Sequence, residues 1–128
     1  MEKIKVLIAD DHRVVREGLA AILKTKEDIN VVGEAQDGVE AVEKTKTLMP
    51  DVILMDVSMP RMGGIEATRQ IKREFPHMGI VALTMYEEQQ YIFDLVRAGA
   101  TGYLLKDSES SQIVAAIRAI YRGESLIH

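Results

Sequence analysis

The sequence predicts an α/β domain in which five parallel strands alternate with five helices. Apolar runs of strand length recur five times along the chain, and the first four are rich in β-branched residues. Each run is followed by a segment with the apolar spacing of an amphipathic helix. Strands that alternate with helices and carry few polar residues pack as a parallel sheet that is covered on both faces. We therefore expect a doubly wound (βα)₅ fold.

The strands are placed on the apolar runs, and the helices on the stripes between them. The strands are expected at residues 4–9, 29–34, 52–55, 80–83 and 102–105. Proline and glycine stop helices, so the second to fifth helices should end near Pro50, Pro76, Gly99 and Gly123. The stripes expected to face the sheet are, in helix order, Val14, Val15, Leu19, Ile22 and Leu23; Val39, Val42 and Leu48; Ile65, Thr68 and Ile71; Ile92, Leu95 and Val96; and Ile113, Ile117 and Ile120.

Composition narrows the class of protein. The chain has 128 residues, 47% of them hydrophobic, and a formal net charge of −4, which suits a single domain over residues 1–128. The absence of cysteine excludes disulfides, thiolate catalysis and cysteine-ligated metals. Mild acidity argues against nucleic acid binding through bulk charge. No apolar run is long enough to span a bilayer and no signal peptide pattern begins the chain, so we expect a cytoplasmic protein without membrane contact.

Polar residues follow four of the five predicted strands. Asp10 and Asp11 follow the first strand, Asp56 the third, Thr84 the fourth and Lys106 the fifth. Ligands of open parallel sheets bind outside the carboxyl ends of the strands, and the common strand order 2-1-3-4-5 would make strands 1 and 3 neighbours about 4.8 Å apart. Three carboxylates placed so closely need a cation among them, and oxygen ligands favour Mg²⁺ or Mn²⁺. The set predicts a site for a metal ion and a phosphoryl group.

Each of these residues also has an ordinary structural interpretation. Asp10 or Asp11 suits the cap of the first helix, and Asp56 suits the start of the turn that Pro60 continues. Thr84 alone fits strand propensity. The interpretation as a metal and phosphoryl site depends on all of these residues occurring together at the strand ends.

Four motifs carry a family resemblance over most of the chain. They are Ile8-Ala9-Asp10-Asp11-His12, Asp56-Val57-Ser58-Met59-Pro60 with Gly63-Gly64, Ala82-Leu83-Thr84 and Gly102-Tyr103-Leu104-Leu105-Lys106. Together they resemble the receiver domain of two-component response regulators, which has a flavodoxin-like fold. The stretches 98–107 and 118–123 look most like the NarL/LuxR type. The resemblance implies a phosphoacceptor signalling domain that catalyses only its own phosphorylation and dephosphorylation.

The resemblance also implies residue roles. Asp56 would take a phosphoryl group from a sensor histidine kinase, which matches a carboxylate nucleophile. Mg²⁺ would be held by Asp11, Asp56 and the backbone carbonyl of Ser58, with help from Asp10. Mn²⁺ would also serve, and no organic cofactor is implied.

The remaining implied roles concern the signal. Lys106 and Thr84 would neutralise the phosphoryl oxygens, and Thr84 with Tyr103 would form the switch. Tyr103 also fits a half-buried strand position. A homodimer on phosphorylation is expected, as is DNA binding only through a separate helix-turn-helix domain that would lie outside this chain.

Two other classes of protein share parts of this pattern. A Mg²⁺-dependent phosphohydrolase of the haloacid type also uses an aspartate nucleophile, but it carries a second aspartate two residues later, where this chain has His12 and Ser58. A flavin binder with the same topology would need a phosphate loop free of carboxylates after strand 1. Two departures from the receiver pattern are Asp107, where proline is common, and the bulky Met85. The geometry of the Lys106–Asp107 peptide stays open at this point.

Overall fold

The computed structural model describes residues 2–85 and 89–126, which form one five-stranded parallel sheet with helices on both faces. The strands are β1 (Ile4–Ala9), β2 (Ile29–Ala35), β3 (Val52–Asp56), β4 (Gly79–Thr84) and β5 (Gly102–Leu105). The helices are α1 (Arg13–Lys24), α2 (Gly38–Leu48), α3 (Gly64–Glu74), α4 (Gln89–Ala98) and α5 (Ser110–Tyr121). The predicted fold class is confirmed, and every predicted strand boundary lies within one residue of the observed one.

The strand order is β2-β1-β3-β4-β5, as predicted. The register pairs Ala9 of β1 with Met55 of β3, so the residues that follow them leave the sheet side by side. At the other half of the sheet, Thr84 of β4 pairs with Leu105 of β5. The order reverses beside β1, and the carboxyl ends of β1, β3, β4 and β5 therefore surround one crevice.

The core has two layers, one on each face of the sheet. Val6 and Ile8 point to the face covered by α1 and α5, where Leu23 and Ile117 are also buried. Leu7 and Ile53 point to the face covered by α2 and α3. The strands β3 and β4 are buried along their whole length, which matches their nearly uninterrupted apolar sequence.

The predicted stripe of α1 is wrong in part. Leu23 is fully buried, but Val14 is 83% exposed and Ile22 is 38% exposed, whereas Ala20 lies in the core. The helix contacts the sheet through an arc centred on a small residue, which permits close approach. Val14 and Ile22 lie outside that arc, so they are exposed although they are apolar. Among the described residues, no helix has both the length and the apolar content to span a bilayer.

Candidate functional site

The predicted strand-end residues converge at one edge of the sheet. Asp10 and Asp56 emerge from neighbouring strands, and both are buried. The amide of Lys106 donates a hydrogen bond of 2.9 Å to the carbonyl of Thr84, which ties the ends of β4 and β5 together. Asp11 lies further out, with 29% of its side chain exposed. The arrangement predicted for Asp10, Asp11, Asp56, Thr84 and Lys106 is therefore present in the structure.

The acids form a tight group in which His12 takes part. One ligand atom from each of Asp10, Asp11, His12 and Asp56 lies within 4.8 Å of all the others. Sequence reasoning left His12 out of the site, although its position next to Asp11 was a usable signal. Nδ1 of His12 is 3.2 Å from Oδ1 of Asp11 and 3.4 Å from Oδ1 of Asp10.

Lys106 is the cation that meets the buried acids. Its Nζ lies 3.1 Å from Oδ2 of Asp10 and 3.1 Å from Oδ2 of Asp56. Neither oxygen has a hydrogen-bond partner with good geometry, and the same holds for Oδ1 of Asp11. One ammonium thus serves the two buried carboxylates, and the carboxylate of Asp11 instead faces Nδ1 of His12.

The electrostatics of the group favour a further cation. Burial raises the pKa of Asp56 from 3.8 to about 6, and the charge of Asp10 adds to the rise, while Lys106 and the amide of Ser58 oppose it. Burial also disfavours the charge of Lys106, but its contacts with Asp56 and Asp10 outweigh this and raise its pKa. The carboxylate oxygens of Asp10, Asp11 and Asp56 fit the all-oxygen ligand set of Mg²⁺ or Mn²⁺.

A close backbone approach holds the loop after β3 in place. Gly64 donates its amide to the carbonyl of Val57 at 2.8 Å, and a Cβ at this position would lie 2.0 Å from the carbonyl oxygen of Asp56. Only glycine fits there without moving the end of β3. The amide of Ser58 lies 3.3 Å from Oδ1 of Asp56 and helps to orient that carboxylate.

A pocket of about 120 Å³ opens over the group. Met85 is 70% exposed and contributes to its wall, so this side chain is not core packing. The residues that line the pocket are Asp11, His12, Asp56, Val57, Ser58, Thr84, Met85, Tyr91 and Lys106. Tyr91 is a member that sequence reasoning missed, because α4 reaches the site only through the tertiary fold.

The ordinary structural interpretations are only partly supported. Helix α1 begins at Arg13, its N-cap is His12, and no side chain caps it. Asp10 instead accepts the amide of His12 at 2.8 Å, as in a tight turn. The peptide between Lys106 and Asp107 is trans. Tyr103 is half-buried in β5 opposite Ala82, a position that suits both interpretations of this residue.

Comparisons with known proteins agree with this geometry. The family described as the response regulator receiver domain matches residues 6–118. The oxygen regulatory protein NreC of Staphylococcus carnosus is 46% identical over 125 residues, which cover 97% of this chain and 58% of that protein. The transcriptional regulatory protein YxjL of Bacillus subtilis, described as uncharacterized, is 46% identical over 98% of this chain and 57% of its own length.

Solved structures are similar over nearly the whole domain. The signal receiver domain of the putative response regulator NarL from Mycobacterium tuberculosis has a TM-score of 0.93 and 35% identity, over 97% of this chain and 100% of that one. A LuxR family response regulator from Aurantimonas has a TM-score of 0.92 and 34% identity, over 98% of this chain and 89% of that one.

The sheet order and the acidic carboxyl edge define a flavodoxin-like α/β signalling domain. The chain belongs to the response regulator receiver domain family of two-component systems, and it is of the NarL/LuxR type. It spans somewhat more than half the length of the curated relatives that it matches, 58% in one case.

Proposed function

We propose that Asp56 accepts a phosphoryl group from the phosphohistidine of a sensor histidine kinase. The observation that carries the proposal is the placement of the Asp56 carboxylate, which lines the pocket beside Asp11 and lies 3.1 Å from the Lys106 ammonium. A carboxylate is a competent nucleophile when the charge of the transferred group is neutralised. Family membership supports the same role, because the matched region contains the whole set of residues.

The transfer is a simple displacement. A carboxylate oxygen of Asp56 forms a bond to phosphorus while the phosphorus–nitrogen bond to the kinase imidazole breaks. The electron pair of that bond stays on the imidazole nitrogen, which takes up a proton from water. Dephosphorylation is a separate reaction, in which water hydrolyses the acyl phosphate and returns the carboxylate and inorganic phosphate. The domain therefore catalyses only its own phosphorylation and dephosphorylation.

Asp11 and Asp56 are the proposed metal ligands, together with the backbone carbonyl of Ser58. Asp10 acts directly or through a water molecule, since it is buried behind Lys106. Bound Mg²⁺ or Mn²⁺ supplies positive charge to the oxygens of the transferring group. The unpartnered oxygen of Asp11 supports this assignment.

Lys106 and Thr84 neutralise the remaining oxygens. Lys106 is a mobile point charge that already reaches the nucleophile, and its raised pKa keeps it charged. Thr84 is buried at the end of β4 and lines the same pocket as Lys106. Both side chains act by position and charge.

The signal is a change in packing between β4 and β5. Thr84 turns toward the phosphoryl group, and Tyr103 of the neighbouring strand moves inward in response. This shifts the population between two arrangements of the surface around α4, β5 and α5. The phosphorylated domain forms a homodimer.

In the longer protein, a helix-turn-helix domain after the receiver carries the output. The length of the relatives supports this proposal, since this chain covers 57% of YxjL, whose name describes a transcriptional regulatory protein. Phosphorylation then controls transcription, and DNA is contacted by the output domain alone. The whole protein acts in the cytoplasm.

Intact mass measurement after incubation with acetyl phosphate and Mg²⁺ tests the assignment of Asp56. We expect the mass to rise by one phosphoryl group, and Asp56→Asn to remove the rise. Asp51→Asn is the matched control, because Asp51 precedes the same strand at its opposite end. An unchanged mass in the parent chain, or a rise that survives in Asp56→Asn, contradicts the proposal. Continuous turnover of a phosphate ester would indicate a phosphohydrolase instead.

A further inference from the structure

The loop between β3 and α3 carries Ser58, whose backbone carbonyl is a proposed metal ligand. The start of this loop is fixed to the sheet, because the amide of Val57 donates to the carbonyl of Leu83 at 3.0 Å. Ser58 itself is exposed, and its amide lies 3.3 Å from Oδ1 of Asp56, which is a long hydrogen bond. The position of the Ser58 carbonyl therefore depends on how the rest of the loop is held.

The far end of this loop is fastened to the N-terminus of α2. Nε and Nη2 of Arg61 both lie 2.9 Å from Oδ2 of Asp37. Oδ1 of the same carboxylate caps α2 by accepting the amide of Glu40 at 2.8 Å. The amide of Gly38 donates to the carbonyl of Met62 at 2.9 Å, and a Cβ on Gly38 would clash with that carbonyl oxygen. A side-chain contact and a backbone contact thus join the loop to α2.

The backbone of Arg61 is strained, and its side chain pairs with a buried charge. Its φ of 63° lies in the left-handed region, which a residue with a Cβ adopts at a cost in energy. Such a conformation persists only where the surrounding structure compensates for it. Asp37 is buried, and the hydrogen bonds from the amide of Glu40 and from Arg61 lower its pKa although burial opposes this. The buried carboxylate holds the guanidinium, and this contact keeps the backbone of Arg61 in its unusual conformation.

We propose that Arg61 and Asp37 are positioning residues, which hold this loop so that the carbonyl of Ser58 faces the metal position. Two residues separate Arg61 from Ser58, and one of them is Pro60, whose ring fixes its φ. A displacement of Arg61 is therefore passed on to the carbonyl. Groups that orient a metal ligand affect metal affinity although they do not touch the metal. The inference rests on the proposed function, because the role of Ser58 is part of it.

Calorimetric titration of the domain with MgCl₂ tests the role of the pair. Arg61→Asn is the informative variant, because asparagine tolerates a positive φ but brings no cation. We expect it to weaken Mg²⁺ binding by about tenfold. Asp37→Asn keeps a side chain that is favoured at an N-cap and should weaken Mg²⁺ binding to a similar extent. The double variant should bind Mg²⁺ no more weakly than either single variant, because the two residues act through one contact.

Two control variants separate positioning from general stability. Thr45→Val removes a hydrogen bond of 2.7 Å within α2 and weakens the fold without touching the loop. Arg69→Gln removes an ion pair with Glu66 on the surface of α3. Neither control should change the Mg²⁺ affinity. In the metal-free domain, the amide resonance of Ser58 should shift in Arg61→Asn and stay in place in both controls.

The results that overturn the proposal are specific. They are an Mg²⁺ affinity in Arg61→Asn equal to that of the parent chain, an additive loss in the double variant, an equal loss in Thr45→Val, or an unmoved amide resonance of Ser58 in Arg61→Asn. If Asp56 takes up no phosphoryl group while the Mg²⁺ results appear as expected, the phosphoacceptor role fails and the positioning role stands. Phosphorylation of Asp56 with an unchanged Mg²⁺ affinity in Arg61→Asn removes the positioning role alone.

Discussion

The aspartates at the two edges of the sheet experience opposite electrostatic conditions. At the carboxyl edge, Asp10 and Asp56 share the single ammonium of Lys106. At the amino edge, Asp28 receives two hydrogen bonds of 2.8 and 2.9 Å from the guanidinium of Arg118. Each edge uses the same residue type in the same sheet, so the neighbours and the burial determine the difference.

The pKa directions express this contrast. The pKa of Asp56 is raised to about 6, chiefly by burial, whereas the hydrogen bonds from Arg118 lower the pKa of Asp28. Ionisation is therefore unfavourable at the carboxyl edge and favourable at the amino edge. At the amino edge, Arg118 neutralises the charge of Asp28, and this pair stabilises the fold. At the carboxyl edge, Asp10 and Asp56 have only Lys106 between them, so an added cation can neutralise the remaining negative charge. The carboxyl edge is thus the one whose negative charge the chain itself neutralises incompletely.

The largest expected effect comes from removing the shared cation. Lys106→Met leaves two buried carboxylates unpaired and should lower the free energy of unfolding by about 4 kcal/mol at neutral pH without divalent ions. Urea denaturation measures the change. Lys46→Met is the control, because Lys46 pairs with Glu74 at 3.5 Å on the surface and should contribute less than about 1 kcal/mol. Similar losses in the two variants would contradict the contrast between buried and exposed pairs.

Neutralising Asp56 should stabilise the metal-free domain. Its pKa in the folded chain is about 6 against 3.8, so the penalty of ionisation is absent below pH 3.8 and complete above pH 6. Asp56→Asn should therefore raise the free energy of unfolding by about 3 kcal/mol at pH 8, with the gain vanishing at low pH. Denaturation across this pH range measures it. A gain that is independent of pH would show that the carboxylate charge is not its source.

At the amino edge, removing a charged group should lower the free energy of unfolding instead of raising it. Arg118→Gln removes the partner of Asp28 and should lower the free energy of unfolding by about 1 kcal/mol at pH 7, a modest value because the pair is partly exposed. The pKa of Asp28 is lowered in the folded chain, so this contribution is present above pH 3.8 and disappears as the carboxylate protonates. Thermal or urea unfolding at pH 7 and pH 2 checks it, and an undiminished loss at pH 2 would rule out the ion pair.

The smallest expected effect concerns a hydroxyl away from the acids. Thr68 of α3 is fully buried and its Oγ1 has no hydrogen-bond partner, a condition shared among described side chains only with the three acids of the site. Thr68→Val should be neutral or stabilising by less than about 1 kcal/mol, with phosphorylation unchanged. In Thr45→Val, the matched control, the lost hydrogen bond of 2.7 Å to the carbonyl of Ala41 should destabilise by about 1 kcal/mol. A loss of phosphorylation in Thr68→Val would assign this hydroxyl to the site.

Much of the fold was predictable from local pattern. Apolar runs marked all five strands, and the signal was strongest for β3 and β4, which are buried along their whole length and carry few polar residues. The helices end where the stop signals are, with Leu48 before Pro50 and Glu74 before Pro76. The side of α1 that faces the sheet was not predictable, because Val14 and Ile22 are as apolar as the buried Leu23. More than one face of α1 has the apolar spacing of a buried helix face. The packing of the helix on the sheet decides which of these faces is buried.

The sequence by itself determined the order of the elements and which residue types follow each strand. It placed Asp10, Asp56 and Lys106 directly after apolar strands. Because the strands are parallel, these three residues lie at the same edge of the sheet. Only the tertiary structure decided that the ammonium of Lys106 contacts both Asp10 and Asp56. Those contacts join residues far apart along the chain, and they depend on sheet order, register and the burial of two carboxylates. Desolvation and charge proximity, which set the chemistry of the site, exist only once the strands are side by side.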